Sequence, residues 1–379
     1  MFTMIQRAVL DKINALGHKL IRLSHPPLSL SMGDASLVGV SPVISPGDLS
    51  TENPTPTVHN FAEIDELLSL IEPWSGDVPA GYDVDFLGIL TDGKFLWYRT
   101  EPFAGRHVST SRPTLSTHGE GLFEIADWIV STREARGRYV AISLGACFGS
   151  QLVGAWKALQ AVNPLPSMLV AVEPIPENCR WIRSHMVRNG INPDDHWIIQ
   201  AGMGFDNEPI LFPVGAPGAG RNNCVAINSA QSRRTYVHVL RRDGDSERVL
   251  ENILLHNSTG IVEDFGGGFS GEVKFVSAVT LRDVLSPFDH VDLLEVDIQQ
   301  SEVAVFSPYM ELVSRKVRRA HVGTHGHDSH DIMRALFLRS GWEIFFDYSP
   351  ETRHMTERGP LNIGDGILSV RNPKFARPS

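Results

Sequence analysis

The chain has 379 residues, 42% of them hydrophobic and 21% charged, with 34 Lys+Arg against 44 Asp+Glu and a net charge of −10. That balance suits one large domain or a domain with a smaller companion, and it argues against a generic nucleic-acid surface, which needs a basic face. The three cysteines, Cys147, Cys179 and Cys224, leave no disulfide framework, and no apolar run approaches the roughly 20 residues of a membrane helix, so a cytoplasmic protein without a transmembrane segment is expected.

Residues 1–20 carry Ile5, Val9, Ile13 and Leu16 at helical spacing. Asp11 and Lys12 interrupt the apolar stretch, so a helix packed on its own domain or on a partner fits better than a signal peptide, and a homodimer is left open. Residues 24–60 are rich in Ser, Pro, Thr and Gly and read as linker-like. A helix is expected over 61–71. A hairpin is expected with Asp85–Leu90 and Lys94–Tyr98 flanking Thr91-Asp92-Gly93, and a second helix over 119–133.

From Tyr139 strand-like and helix-like runs alternate. Strands are expected at 139–144, 168–172, 196–200, 274–279, 291–298, 317–323, 342–346 and 367–370, with helices at 150–161, 176–190, 280–285, 301–314 and 328–340. This alternation predicts an α/β fold with a doubly wound, mostly parallel, Rossmann-like sheet. The division expected is a helical and irregular extension over 1–135, serving an acceptor pocket or oligomerisation, and a main domain over 136–379 with an insertion at about 202–273.

The first strand–helix turn is Leu144-Gly145-Ala146-Cys147-Phe148-Gly149. Glycines there admit close backbone approach to a ligand, and the helix start offers free N–H groups. The next strand ends in Glu173, 24 residues beyond Gly149 (173 − 149), where a carboxylate can accept both hydroxyls of an adenosine ribose. Turn and acid together do not separate NAD from S-adenosylmethionine, although the G-x-G-x-x-G favoured by a pyrophosphate is absent.

Residues 139–190 and 274–346 resemble the FkbM family of S-adenosylmethionine-dependent methyltransferases. The family's D-x-G-A-x-x-G turn corresponds to Ser143 through Gly149, its E-P-x-P-x-N to Glu173 through Asn178, its T-L-D-D-L-L to Thr280 through Leu285, and its L-L-K-I-D-V-E-G-A-E to Leu293 through Glu302. The resemblance implies a class I methyltransferase fold, S-adenosyl-L-methionine as cofactor held by Ser143, Gly145, Ala146, Cys147, Gly149 and Glu173, and methylation of an oxygen, often a hydroxyl of a sugar or specialised metabolite. The partner implied is a small-molecule or glycan acceptor. Ser143 replaces the family's acid, Glu295 its lysine, and Gln299-Gln300 its E-G. Those departures keep a non-catalytic cofactor-binding homologue as an alternative, with an NAD-dependent oxidoreductase behind it.

Asp297, near its strand end, is the first candidate for general base or substrate contact; a helix-capping aspartate is the plain alternative. Glu302 reads as structural. His321, His325, His327 and His330 invite a metal, but without a His-Glu-x-x-His helix or a cysteine set a divalent ion is not favoured and no metal ligand is assigned. His325, just past the strand, is better placed to take a proton from a hydroxyl.

Overall fold

A computed structural model describes residues 61–95, 105–116, 120–214, 260–262, 271–299 and 301–375. The expected helix over 1–20, the stretch 24–60 and much of the 202–273 insertion lie outside the described residues. Residues 58–379 form one compact unit, which takes in helices on both sides of residue 135.

The centre is a seven-stranded sheet. Its strands are β1 (Tyr139–Leu144), β2 (Ser167–Val172), β3 (Trp197–Ile199), β4 (Val291–Val296), β5 (Val317–Thr324), β6 (Glu343–Tyr348) and β7 (Gly366–Arg371), in the order β6-β7-β5-β4-β1-β2-β3. β3, β2, β1, β4 and β5 pair in parallel, whereas β7 runs antiparallel to both neighbours. All six residues of β1 and of β4 are buried, the signature of strands covered on both faces. Val296 pairs with Leu144, so β4 and β1 end level where the strand order reverses, the place where open α/β sheets bind ligands.

The helices are α1 (Phe61–Ser69), α2 (Gly121–Glu134), α3 (Ser150–Val162), α4 (Pro176–Arg188), α5 (Leu281–Leu285), α6 (Glu302–Phe306), α7 (Met310–Lys316) and α8 (His327–Arg339). α1 and α2 contribute Phe61, Ile64, Leu67, Phe123, Ala126 and Ile129 to the core that also holds Tyr139, Leu152 and Leu293. α5 opens with a capping box: Thr280 accepts from the Asp283 N–H while the Asp283 carboxylate accepts from the Thr280 N–H.

Three expectations are corrected. The hairpin sits earlier, pairing Tyr82–Val84 with Leu90–Asp92. Asp85 organises its loop by accepting from the Leu87 and Ile89 N–H groups, and Phe86, Leu87 and Ile89 are drawn into the core. The 274–279 run does not enter the main sheet. Gly271–Val276 pairs antiparallel with Ile210–Val214 and Gly260–Val262, and Ala278–Val279 pairs in parallel with Gly202–Met203. The 301–314 helix is broken into α6, a 3-10 turn at Ser307–Tyr309 and α7, because Pro308 has no N–H to continue the ladder. A further hairpin, Thr352–Thr356 with Gly359–Ile363, was not expected.

Candidate functional site

The turn after β1 is fastened at three strand tips. Gly145 and Ala146 donate to the Val172 carbonyl at 2.9 and 3.1 Å, and Asp297 donates its N–H to the Leu144 carbonyl at 3.0 Å. Gly145 has φ +81°, and a Cβ there would stand 1.9 Å from the Asp297 carbonyl oxygen. Only glycine fits a backbone approach this close. Cys147 also takes a positive φ of 48°, which turns its N–H toward Glu173.

The Glu173 carboxylate accepts from the N–H groups of Cys147 and Ile175, both at 2.9 Å, and from the Asn178 side-chain amide at 3.2 Å. Burial pushes Glu173 up to about 7 against the opposing pull of these donors. Glu173 thus does structural work that the sequence did not announce: it ties the glycine turn to the start of α4. Asn178, 1% exposed, keeps its carbonyl oxygen buried and without a partner.

Gly145, Cys147, Glu173, Asn178 and Asp297 line one cavity with Gln151, Gln299 and Ser301, and Val172, Met203, Phe212 and Ile298 supply its apolar wall. Of the expected cofactor residues, Gly145, Cys147 and Glu173 therefore face this cavity. Ser143, 2% exposed, lies within β1, and Ala146 and Gly149 shape the turn from behind. The apolar wall comes partly from the 202–214 segment, whose sequence carries no ligand signature.

Across the strand tips lies an acid–histidine cluster. Asp297, with its side chain 43% exposed, accepts from the Gln299 amide at 2.9 Å and stands 3.5 Å from His325 Nε2. Gln299 lies 2.7 Å from the same ring nitrogen, and its φ of 50° aims it there. Glu302, fully buried, stands 3.0 Å from His325 Nδ1. Asp365, just before β7, approaches Nε2 at 3.7 Å. Burial alone would discharge His325, but its hydrogen bond to Glu302, together with Asp297 and Asp365, holds it up to about 9. Asp297 is raised by its protein surroundings and by Asp365 and Glu302, against the pull of His325 and Gln299. The two expected catalytic residues are thus adjacent. Glu302 and Gln299 were visible as motif positions; Asp365, 68 residues beyond Asp297 (365 − 297), carried no signal.

The other histidines point elsewhere. His321 pairs with buried Asp127 at 2.8 Å, His327 with Ser349, and His330 with Thr324 and Asp347. Among the described residues no three His, Cys, Asp or Glu side chains are grouped to hold a metal. Among the described residues no helix is long and apolar enough to cross a membrane.

The profile described as "Methyltransferase FkbM domain" matches residues 143–343, just over half of the chain. The chain belongs to the FkbM methyltransferase family. A protein of Jannaschia sp. (strain CCS1) that carries a provisional methyltransferase name is 24% identical over 259 residues, covering 67% of this chain and 81% of its own length. Among solved structures, the methyltransferase FkbM from Methylobacillus flagellatus KT aligns at 12% identity and a TM-score of 0.35 over 62% of this chain; this chain spans 44% of that protein. The O-methyltransferase from Bacillus cereus, solved with SAH, aligns at 10% identity and a TM-score of 0.30 over 68% of this chain and 84% of its own.

The cavity of this FkbM protein fits the family's S-adenosylmethionine on its own chemistry. A glycine turn with no room for a Cβ stands at one end, a buried carboxylate at the β2 tip, an unpartnered amide oxygen beside it, and an apolar wall opposite.

Proposed function

We propose that this chain is an S-adenosylmethionine-dependent O-methyltransferase acting on a hydroxyl of a sugar or specialised metabolite. One observation carries the reading: the half-exposed Asp297 carboxylate lines the same cavity as the glycine turn and Glu173, with His325 3.5 Å behind it. A family member that kept only the fold would have no need of that cluster.

Glu173 would hold the ribose hydroxyls, Asn178 a neighbouring donor, and Gly145 and Cys147 the amino-acid tail. Bound cofactor supplies an electrophilic methyl on a sulfonium, already a good leaving group. The chain's remaining work is to align a hydroxyl and accept its proton. Asp297 is the base: it faces the cavity, and its raised affinity for a proton suits it to the task. His325 stands 3.5 Å from Asp297 and is in turn oriented by Glu302, so the two share the handling of that proton.

Titration calorimetry with S-adenosylmethionine, S-adenosylhomocysteine and NADH tests the pocket. Micromolar binding of both adenosyl ligands, lost in Glu173→Ala, is the expected result and opens an acceptor screen. Binding of NADH alone would replace this reading with an oxidoreductase.

A further inference from the structure

The cofactor cavity raises a charge question. An S-adenosylmethionine tail brings an ammonium group, and the turn residue where the family places an acid is Ser143 here, a neutral side chain buried within β1. The other carboxylates that line the cavity are engaged: Glu173 holds three donors, and Asp297 is tied to Gln299 and His325. Negative charge for the ammonium must come from elsewhere or be missing.

The start of α2 supplies it. Glu120 caps that helix and Glu124 lies one turn on, so both side chains lie on one face of it. Gln151, which lines the cavity from the first turn of α3, donates to Glu124 at 3.4 Å. Glu120 Oε2 is buried and without a hydrogen-bond partner. Burying a carboxylate oxygen unpaired is costly unless a donor completes it. Burial pushes Glu120 up to about 8, with Glu124, Asp297 and Asp365 adding to the crowding, and burial raises Glu124 likewise. His321 offers both of them positive charge.

We propose that Glu120 and Glu124, with Gln151 as the bridge, form the ammonium-binding end of the cofactor site and take over the counter-charge that Ser143 does not provide. The inference rests on the S-adenosylmethionine reading above. Both acids belong to the stretch before residue 135, so this segment completes the cofactor site as well as shaping the acceptor pocket.

The experiment compares two adenosyl ligands by titration calorimetry. S-adenosylhomocysteine carries the ammonium and carboxylate tail; 5′-methylthioadenosine shares the adenosyl thioether and has no tail. In E120Q/E124Q the expected result is a loss of tenfold or more in affinity for S-adenosylhomocysteine, with 5′-methylthioadenosine unchanged within about twofold. Retained 5′-methylthioadenosine binding shows that the pocket is folded. Equal weakening of both ligands, or weakening of neither, would overturn the assignment. If the unaltered protein binds neither ligand, the cofactor reading itself fails and this inference goes with it; binding of both by the unaltered protein separates the two failures.

Discussion

Gly145→Ala is the sharpest test of how the site is built. At φ +81° an L-residue incurs strain of about 1–2 kcal/mol. The new Cβ would lie 1.9 Å from the Asp297 carbonyl oxygen where ordinary contact begins at 3.4 Å, so turn and β4 tip must separate by about 1.5 Å (3.4 − 1.9). The obstacle is backbone, which cannot rotate away, and overpacking of this kind adds about 1–3 kcal/mol. The total, about 2–5 kcal/mol, predicts a fall in Tm at about 2–4 °C for each kcal/mol. Because Asp297 is what must move, S-adenosylhomocysteine binding should weaken by tenfold or more. Gly149→Ala is the control: its φ is +83°, but its nearest contact would be the Ile182 side chain at 3.3 Å, with backbone no closer than the Ile182 Cα at 3.7 Å. That variant should lose the strain term alone, about 1–2 kcal/mol. Thermal unfolding and ligand titration of both variants decide the matter. If Gly145→Ala unfolds with Gly149→Ala and binds as tightly, the close approach of turn and strand tip is not what fixes this glycine.

Three further predictions follow from the charge network. Glu173→Gln, which puts an amide N–H₂ where one of three donors now lands, should weaken S-adenosylhomocysteine by at least tenfold and cost about 1–3 kcal/mol in urea unfolding; wild-type binding would show that the carboxylate is not needed. The His325 ring should titrate near 9 by NMR, and Glu302→Gln should lower that value by a unit or more; an unmoved titration would remove Glu302 as its cause. His321, held up to about 10 by Glu295 and Asp127 despite its burial, gives stability that is complete below its ordinary value of about 6.5 and fades as pH rises through about 10. Tm should therefore fall between pH 7 and 10, and His321→Gln should flatten that slope.

Much of the main sheet was legible because its strands are short apolar runs: Tyr139–Leu144 matched to the residue, and the helix expected over 280–285 runs Leu281–Leu285. The direction of β7 was not, since ILSV reads the same in either orientation and only its partners β5 and β6 set it antiparallel. The 274–279 run was misplaced for a related reason: periodicity tells a strand from a helix but not which sheet recruits it. Within the site, glycines and strand-end acids could be found because their roles depend on local backbone. Asp365 could not, because it meets His325 from an element distant in the sequence. Glu295 shows the same limit. Where a lysine is usual, it sits 3% exposed and accepts from Trp128 Nε1 at 2.9 Å, a partner 167 positions away (295 − 128).

The placement of β7 bears on how the chain can be made. It is the last strand of the sheet to leave the ribosome, yet it belongs between β5 and β6. Until residue 371 emerges, two strand edges stand open beside the crevice, Asp127 lacks the Ser369 hydroxyl, and Asp365 is not yet beside His325. A transcript that stops short of β7 therefore yields no smaller working enzyme, only an aggregation-prone sheet for quality control to clear. In this architecture, residues through Arg371 must be made before the site can exist at all.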